Sequence, residues 1–203
     1  KLRGFQAIRR RSALVSATDY ADLTRTYLGP SAPVRVVPGV GDALLPMPSA
    51  VHIFGLTEDG GALNPAQIAG LQALLRDRSP LVAANRVFVS SLERVDVVVE
   101  AIAQILPTAN PLLVARDIYE RIGGYLSPAS FAGPVVLVSE VEYRARRSAG
   151  LEFVRSIRLK IANSTLASTD IPLAHPWQVP NLLGAIVTLT TDTDSYAYAL
   201  GES

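Results

Sequence analysis

Cysteine is missing from all 203 residues. That excludes disulfides, thiolate catalysis and cysteine-based metal centres, and it is compatible with assembly in a reducing compartment. Histidine is almost as scarce, with only His52 and His175. An excess of charge of one sign is lacking too: 19 basic residues stand against 18 acidic ones, for a net charge of +1. A protein that grips phosphates would carry a clear basic surplus, so nucleic acid is not an expected partner. The one dense basic run, Arg9-Arg10-Arg11, reads as a solvated or partner-facing strip. No apolar stretch reaches about 18 residues without charges, so no transmembrane helix and no direct membrane insertion are expected. A signal-peptide pattern is also lacking.

The familiar chemical motifs are missing as well. Pro38-Gly39-Val40-Gly41-Asp42 has neither the third glycine of a dinucleotide fingerprint nor a Gly-Lys-Ser/Thr sequence, and it reads as a turn. Asp192-Thr193-Asp194 resembles the opening of a calcium loop, but Tyr196 and Ala197 follow where the turn glycine belongs and Ser203 takes the place of the bidentate glutamate. Asp96 and Glu100 share one side of a strand at about 13 Å, too far apart for a retaining carboxylate pair. His52 sits in a predicted strand between Val51 and Ile53, where a structural or surface histidine is expected; His175 precedes Pro176-Trp177 in a loop, where packing or a partner contact is expected. No nucleophile elbow accompanies them. No catalytic, cofactor-binding or metal-ligating residue is therefore assigned, and no cofactor is expected. Trp177, Tyr196 and Tyr198 are candidates for interface anchors or for ordinary edge packing.

What the chain does have is apolar mass, 49% of its residues, with only 18% charged. This is enough for a sizeable core, and the low charge hints at surface covered by partners. Ser16 with Asp19 predicts a capped helix carrying Tyr20, Leu23 and Tyr27 on one face, stopped by Gly29-Pro30. Asn64-Pro65 with Gln67 predicts a second helix with Ile68, Leu71 and Leu75 as its buried stripe, and Asn110-Pro111 predicts a third with Val114, Ile118 and Ile122. Ser139 through Glu142 reads as the capping box of a short fourth. Strands are expected at 34–37, 51–56, 86–90, 94–105, 151–161 and 185–190, with loops at 38–49 and through Pro172, Pro176 and Pro180. In the Val-rich segment the odd positions Val95 to Ile105 form a core face, and Asp96, Glu100 and Gln104 lie opposite with Val98 and Ile102. The predicted fold class is α+β: two small mixed sheet-plus-helix domains, 1–92 (α-β-β-α-β) and 93–190 (β-α-α-β-β), linked by the long Val-rich β segment, then a polar C-terminal tail, 191–203.

Four stretches, in order and spacing, resemble the baseplate J-like family of contractile phage tails and related injection systems. They are Val15 through Leu23; Asn64-Pro65 through Leu75 with Arg78-Ser79-Pro80-Leu81-Val82-Ala83 and the strand after it; Pro111 through Tyr125-Leu126-Ser127-Pro128; and Ser139-Glu140-Val141 with Gly150 through Ile157. Leu183 through Val187 is similar to that family's closing strand. Leu151 stands where valine is usual in the family, Gly123-Gly124 interrupts the third helix, and residues 162–182 are not placed on the family pattern. The resemblance implies a non-enzymatic structural subunit of the baseplate wedge, forming a six-fold ring around the hub through subunit interfaces. The partners implied are other copies of itself, other wedge subunits, and hub and sheath proteins. The place implied is a virion tail baseplate or an injection particle assembled in the bacterial cytoplasm. Members extend further at the N-terminus, and the chain opens on Lys1, so it is expected to be the C-terminal part of one. The competing expectation is a soluble α+β enzyme or carbohydrate-binding domain with a pocket of converging polar groups.

Overall fold

The computed structural model describes residues 14, 16–80, 84–161 and 164–201. The Arg9–Arg11 run, Val15 and the Leu81–Ala83 hinge lie outside them. The architecture is α+β, and the chain divides into two compact units, Lys1–Leu92 and Glu93–Ser203.

In the first unit, helix α1 (Ala17–Leu28) begins where Ser16 Oγ accepts from the Asp19 N–H (3.1 Å) and the Asp19 carboxylate accepts from the Ser16 N–H (2.9 Å). Asn64 and Gln67 build the same reciprocal cap at 2.9 Å each for α2 (Pro65–Arg78). Each box satisfies two of the backbone donors that a helix start leaves without partners. The strands are β1 (Val34–Val40), β2 (Pro46–Gly55) and β3 (Val87–Ser91), in the order β1-β2-β3. β1 runs antiparallel to β2, while β2 and β3 are parallel and joined through α2. The core gathers Tyr20, Ile53, Leu71, Leu75, Val87 and Val89. Tyr27, expected on the buried face of α1, is 43% exposed; Thr24 is buried in the stripe instead, its hydroxyl donating to the Tyr20 carbonyl at 2.7 Å. The expected 38–49 loop is mostly strand: β1 runs on to Val40 and β2 starts at Pro46, with a short 3-10 turn, Asp42–Leu44, between them.

The second unit is built on β4 (Glu93–Ile105), with α3 (Pro111–Tyr125), β5 (Val135–Val136), α4 (Val138–Arg146), β6 (Leu151–Ile161), β7 (Ile171–Pro172), β8 (Gln178–Thr190) and β9 (Ser195–Gly201). Its large sheet has the order β6-β4-β8-β9, parallel only between β4 and β8. The Val-rich segment lies wholly inside this unit, as an interior strand. Val97, Val99, Ala101, Ala103 and Ile105 are buried, and the residues between them are half-buried. Asn110 Oδ1 caps α3 by accepting from the Leu112 and Leu113 N–H groups (3.1 and 3.3 Å). Ile118, Ile122, Val141 and Ala145 then pack into the same core as the inner face of the sheet.

Three expectations need correction. The Ser139 capping box does not form: α4 starts at Val138, Leu137 holds the cap position without a side-chain bond, and Asp170 supplies the missing acceptor to the Val138 N–H at 2.8 Å. β8 starts at Gln178, through Pro180, where a loop is expected. Proline is tolerated there because β9 pairs with β8 only from Gly184 onward, so at Pro180 β8 has a neighbour on one side only. Within the segment expected as a polar tail, Ser195–Gly201 is a strand that pairs with β8 along its whole length, with Tyr198 opposite Val187 and Leu200 opposite Ala185. Tyr196, Tyr198 and Leu200 alternate with small residues at strand period, which is what a half-buried strand requires.

Gly150, between α4 and β6, adopts φ +80°, and a Cβ there would stand 2.9 Å from the Ala109 side chain and 3.2 Å from Val114. Only glycine suits both the backbone and the gap.

Candidate functional site

His52 is 2% exposed. Its Nδ1 lies 3.0 Å from the Gly41 carbonyl, which can only accept, so Nδ1 carries the proton; Nε2 then accepts from the Ser90 hydroxyl at 2.9 Å. The ring stacks on Phe54 at 4.2 Å and 10°. Burial pushes its pKa below the usual histidine value, outweighing the Gly41 carbonyl and the Asp42 charge, which pull it up. A neutral, buried imidazole with both nitrogens occupied pins β2 to the β1–β2 connection and to β3. Gly41, in the Pro38–Asp42 segment, thus lends its carbonyl to packing rather than to a phosphate loop.

His175 is exposed and stacks on Trp177 at 4.6 Å and 6°. Its N–H donates to Gln178 Oε1 (3.2 Å), its carbonyl accepts from the Gln178 N–H (3.0 Å), and the Trp177 carbonyl accepts from the Glu93 N–H (3.1 Å). These bonds tie the start of β8 to the start of β4. His52 and His175 belong to different units, and neither bonds to a carboxylate in the contacts above.

Asp96 accepts from Asn181 Nδ2 at 2.8 Å, and Glu100 forms an ion pair with Arg158 across β4 and β6. Both carboxylates serve the outer face of the sheet, where Val98, Ile102, Ile186 and Phe153 also lie. Phe153 is 45% and Ile186 42% exposed, and the helices of this unit pack on the other face. Asp192-Thr193-Asp194 forms the β8–β9 turn. The Thr191 N–H donates to the Asp194 carbonyl (2.9 Å), the Asp194 N–H to Thr191 Oγ1 (3.0 Å), and Asp192 accepts from Gln104 Nε2 (3.3 Å). Among the described residues no group of three or more histidines and carboxylates could hold a metal ion, and no helix is long and apolar enough to cross a membrane. A depression of about 250 Å³ beside this turn is lined by Pro107, Ala109, Pro111, Asp192, Asp194 and Tyr196. Its two carboxylates already accept hydrogen bonds from this chain, Asp192 from Gln104 on β4 and Asp194 from the Thr193 hydroxyl (2.7 Å).

What the surface offers instead is apolar side chains held in water. At the tip between β1 and β2, Ala43 and Leu44 take left-handed backbone angles (φ 52° and 59°), and Leu45 is 64% exposed. That conformation costs a non-glycine residue on the order of 1 kcal/mol, and the tip is held by the Gly41 N–H donating to the Leu45 carbonyl (2.8 Å) and the Ala43 N–H to the Asp42 carboxylate (3.0 Å). Leu113 at the start of α3 is 62% exposed, beside Leu112, and Tyr143 projects from α4. Sequence periodicity finds buried stripes but not these positions, because a lone leucine in a turn or at a helix start carries no periodic signal.

No protein-family profile matches the chain. No curated protein matches it either. Among solved structures, the fold is similar to a chain described as belonging to the cryo-EM structure of the anti-feeding prophage baseplate, six-fold symmetrised. The TM-score is 0.65 at 15% identity, and the alignment covers 89% of this chain and 40% of that one. The chain therefore spans about two fifths of the length of the protein whose fold it shares.

Proposed function

We propose that this chain is a structural, non-enzymatic part of the baseplate of a contractile tail or injection machine, of the wedge type built by baseplate J-like proteins. The observation that carries the reading is the shared fold over nearly the whole chain with a baseplate component. The exposed apolar side chains at the β1–β2 tip, on α3 and on the outer sheet face support it, since an assembly subunit needs surface to bury against copies of itself and unlike neighbours. The two units act as rigid struts whose interfaces hold a ring around the hub and rearrange when the machine fires.

An epitope-tagged copy of the chain in its host, followed by purification of sheathed particles, tests this. The expected result is co-sedimentation with the particles at six copies, or a multiple of six, with density assignable to the fold next to the hub. Tagged protein left free in the lysate while intact particles form without it would overturn the reading.

A further inference from the structure

Four strands lie at the edges of the two larger sheets. β1 carries Arg35, Pro38 and a register shift after Pro38. β3 has only five residues, and Arg76 Nε donates to its Val87 carbonyl at 3.2 Å. β6 carries Arg155, Arg158 and Lys160 and two register shifts, and Ala167 exchanges two backbone hydrogen bonds with its Leu159 (2.8 and 2.9 Å). Charge, proline, bulges, shortness and cover are the devices that stop a sheet edge from recruiting another strand. β9 has none of them. Ser195–Gly201 contains no charge and no proline, its register against β8 is unbroken, and no strand lies on its far side among the described residues. In an antiparallel ladder, alternate N–H and C=O groups of such a strand point away from the sheet.

We propose that β9 is a strand-addition site, paired in the assembly by an extended, uncharged segment of an unlike neighbouring subunit that carries basic residues at its ends. The open backbone row dictates an extended occupant. Exposed Ala197 and Ala199 leave room on the outer face for its side chains, and Tyr196, 37% exposed, stands on the inner face to flank it. Charge selects the partner: Asp192 and Asp194 are exposed at the head of β9, and neither is ion-paired among the described residues. The β9 of a second copy brings no cation to meet them. This inference rests on the assembly role proposed above and adds the partner and its mode of attachment.

The test uses the 203-residue chain and a synthetic peptide, Lys-Lys-Val-Thr-Val-Thr-Val-Lys-Lys, with amide hydrogen exchange followed by NMR. Alternate amides of residues 195–201 are expected to slow at least about tenfold with peptide. Glutamates in place of the lysines should weaken binding about tenfold at low salt. An Ala197→Lys/Ala199→Lys variant with unchanged circular dichroism should lose the protection, and Asp192→Lys/Asp194→Lys should reverse the preference between the two peptides. No added protection at millimolar peptide, or equal protection by both peptides, overturns the proposal. So does a concentration-dependent dimer that protects the same amides without peptide, since that makes the occupant a second copy. In particles, an Ala197→Lys/Ala199→Lys chain that assembles as well as the native one removes the strand addition and leaves the baseplate role standing. A native chain absent from particles removes the baseplate role and leaves the peptide result standing.

Discussion

At His52, burial disfavours the imidazolium, and the direction of that shift sets a pH dependence. Above the ordinary value of 6.5 the ring is neutral whether the chain is folded or unfolded, and it contributes nothing to pH dependence. As pH falls below 6.5 the unfolded chain takes up a proton that the folded chain refuses until its own lower pKa is reached. Stability is therefore lost on acidification across that window. Thermal melts between pH 8 and pH 5 should show the transition of the first unit falling, and His52→Asn should flatten that slope while lowering stability at pH 8. Parallel slopes for the two proteins would refute the assignment. The sequence marks His52 as a structural or surface histidine because it stands in a strand between Val51 and Ile53, and its burial selects the first. Its two partners were not legible: Gly41 and Ser90 lie 11 and 38 positions away and arrive only through strand register.

Among the elements, helix starts were the easiest to foresee where cap and helix are neighbours in sequence, as at Ser16, Asn64 and Asn110. The failure at α4 shows the limit of local signals. The capping-box pattern of Ser139 is present, but the burial of Val141 and Ala145 accompanies a helix that begins two residues earlier, and an aspartate 32 positions after Val138 takes over the cap. Asp170→Ala should cost about 1 kcal/mol and lower the melting temperature of the second unit by several degrees, while Asp170→Asn should keep most of it. Equal melting temperatures for Asp170→Ala and the native chain would show the contact to be idle. β9 was missed for a related reason. Its short alternating stretch lies next to Thr and Asp residues that read as a tail, and the signal that makes it a strand is the length of β8 beside it.

For the whole molecule, the class was legible from the mixture of helical and strand periodicities, but sheet order was not. Nothing local says that β4 pairs in parallel with β8 as well as antiparallel with β6. The two cores gather separate sets of residues. If the units are independent domains, calorimetry should resolve two transitions, and Leu71→Ala, which empties part of the first core, should cost about 2–5 kcal/mol and move only one of them. A single transition shifting as a whole would argue for one cooperative body.

The parallel pairing of β4 with β8 also bears on how the chain is born. Asp96 meets Asn181, 85 positions later. A ribosome adding about 5–20 residues per second leaves the valine-rich β4 without its parallel partner for roughly 4–17 s. Through that interval β4 is a nascent strand open to misplaced pairing along that edge. Chaperone binding during synthesis should therefore concentrate between the emergence of β4 and that of β8.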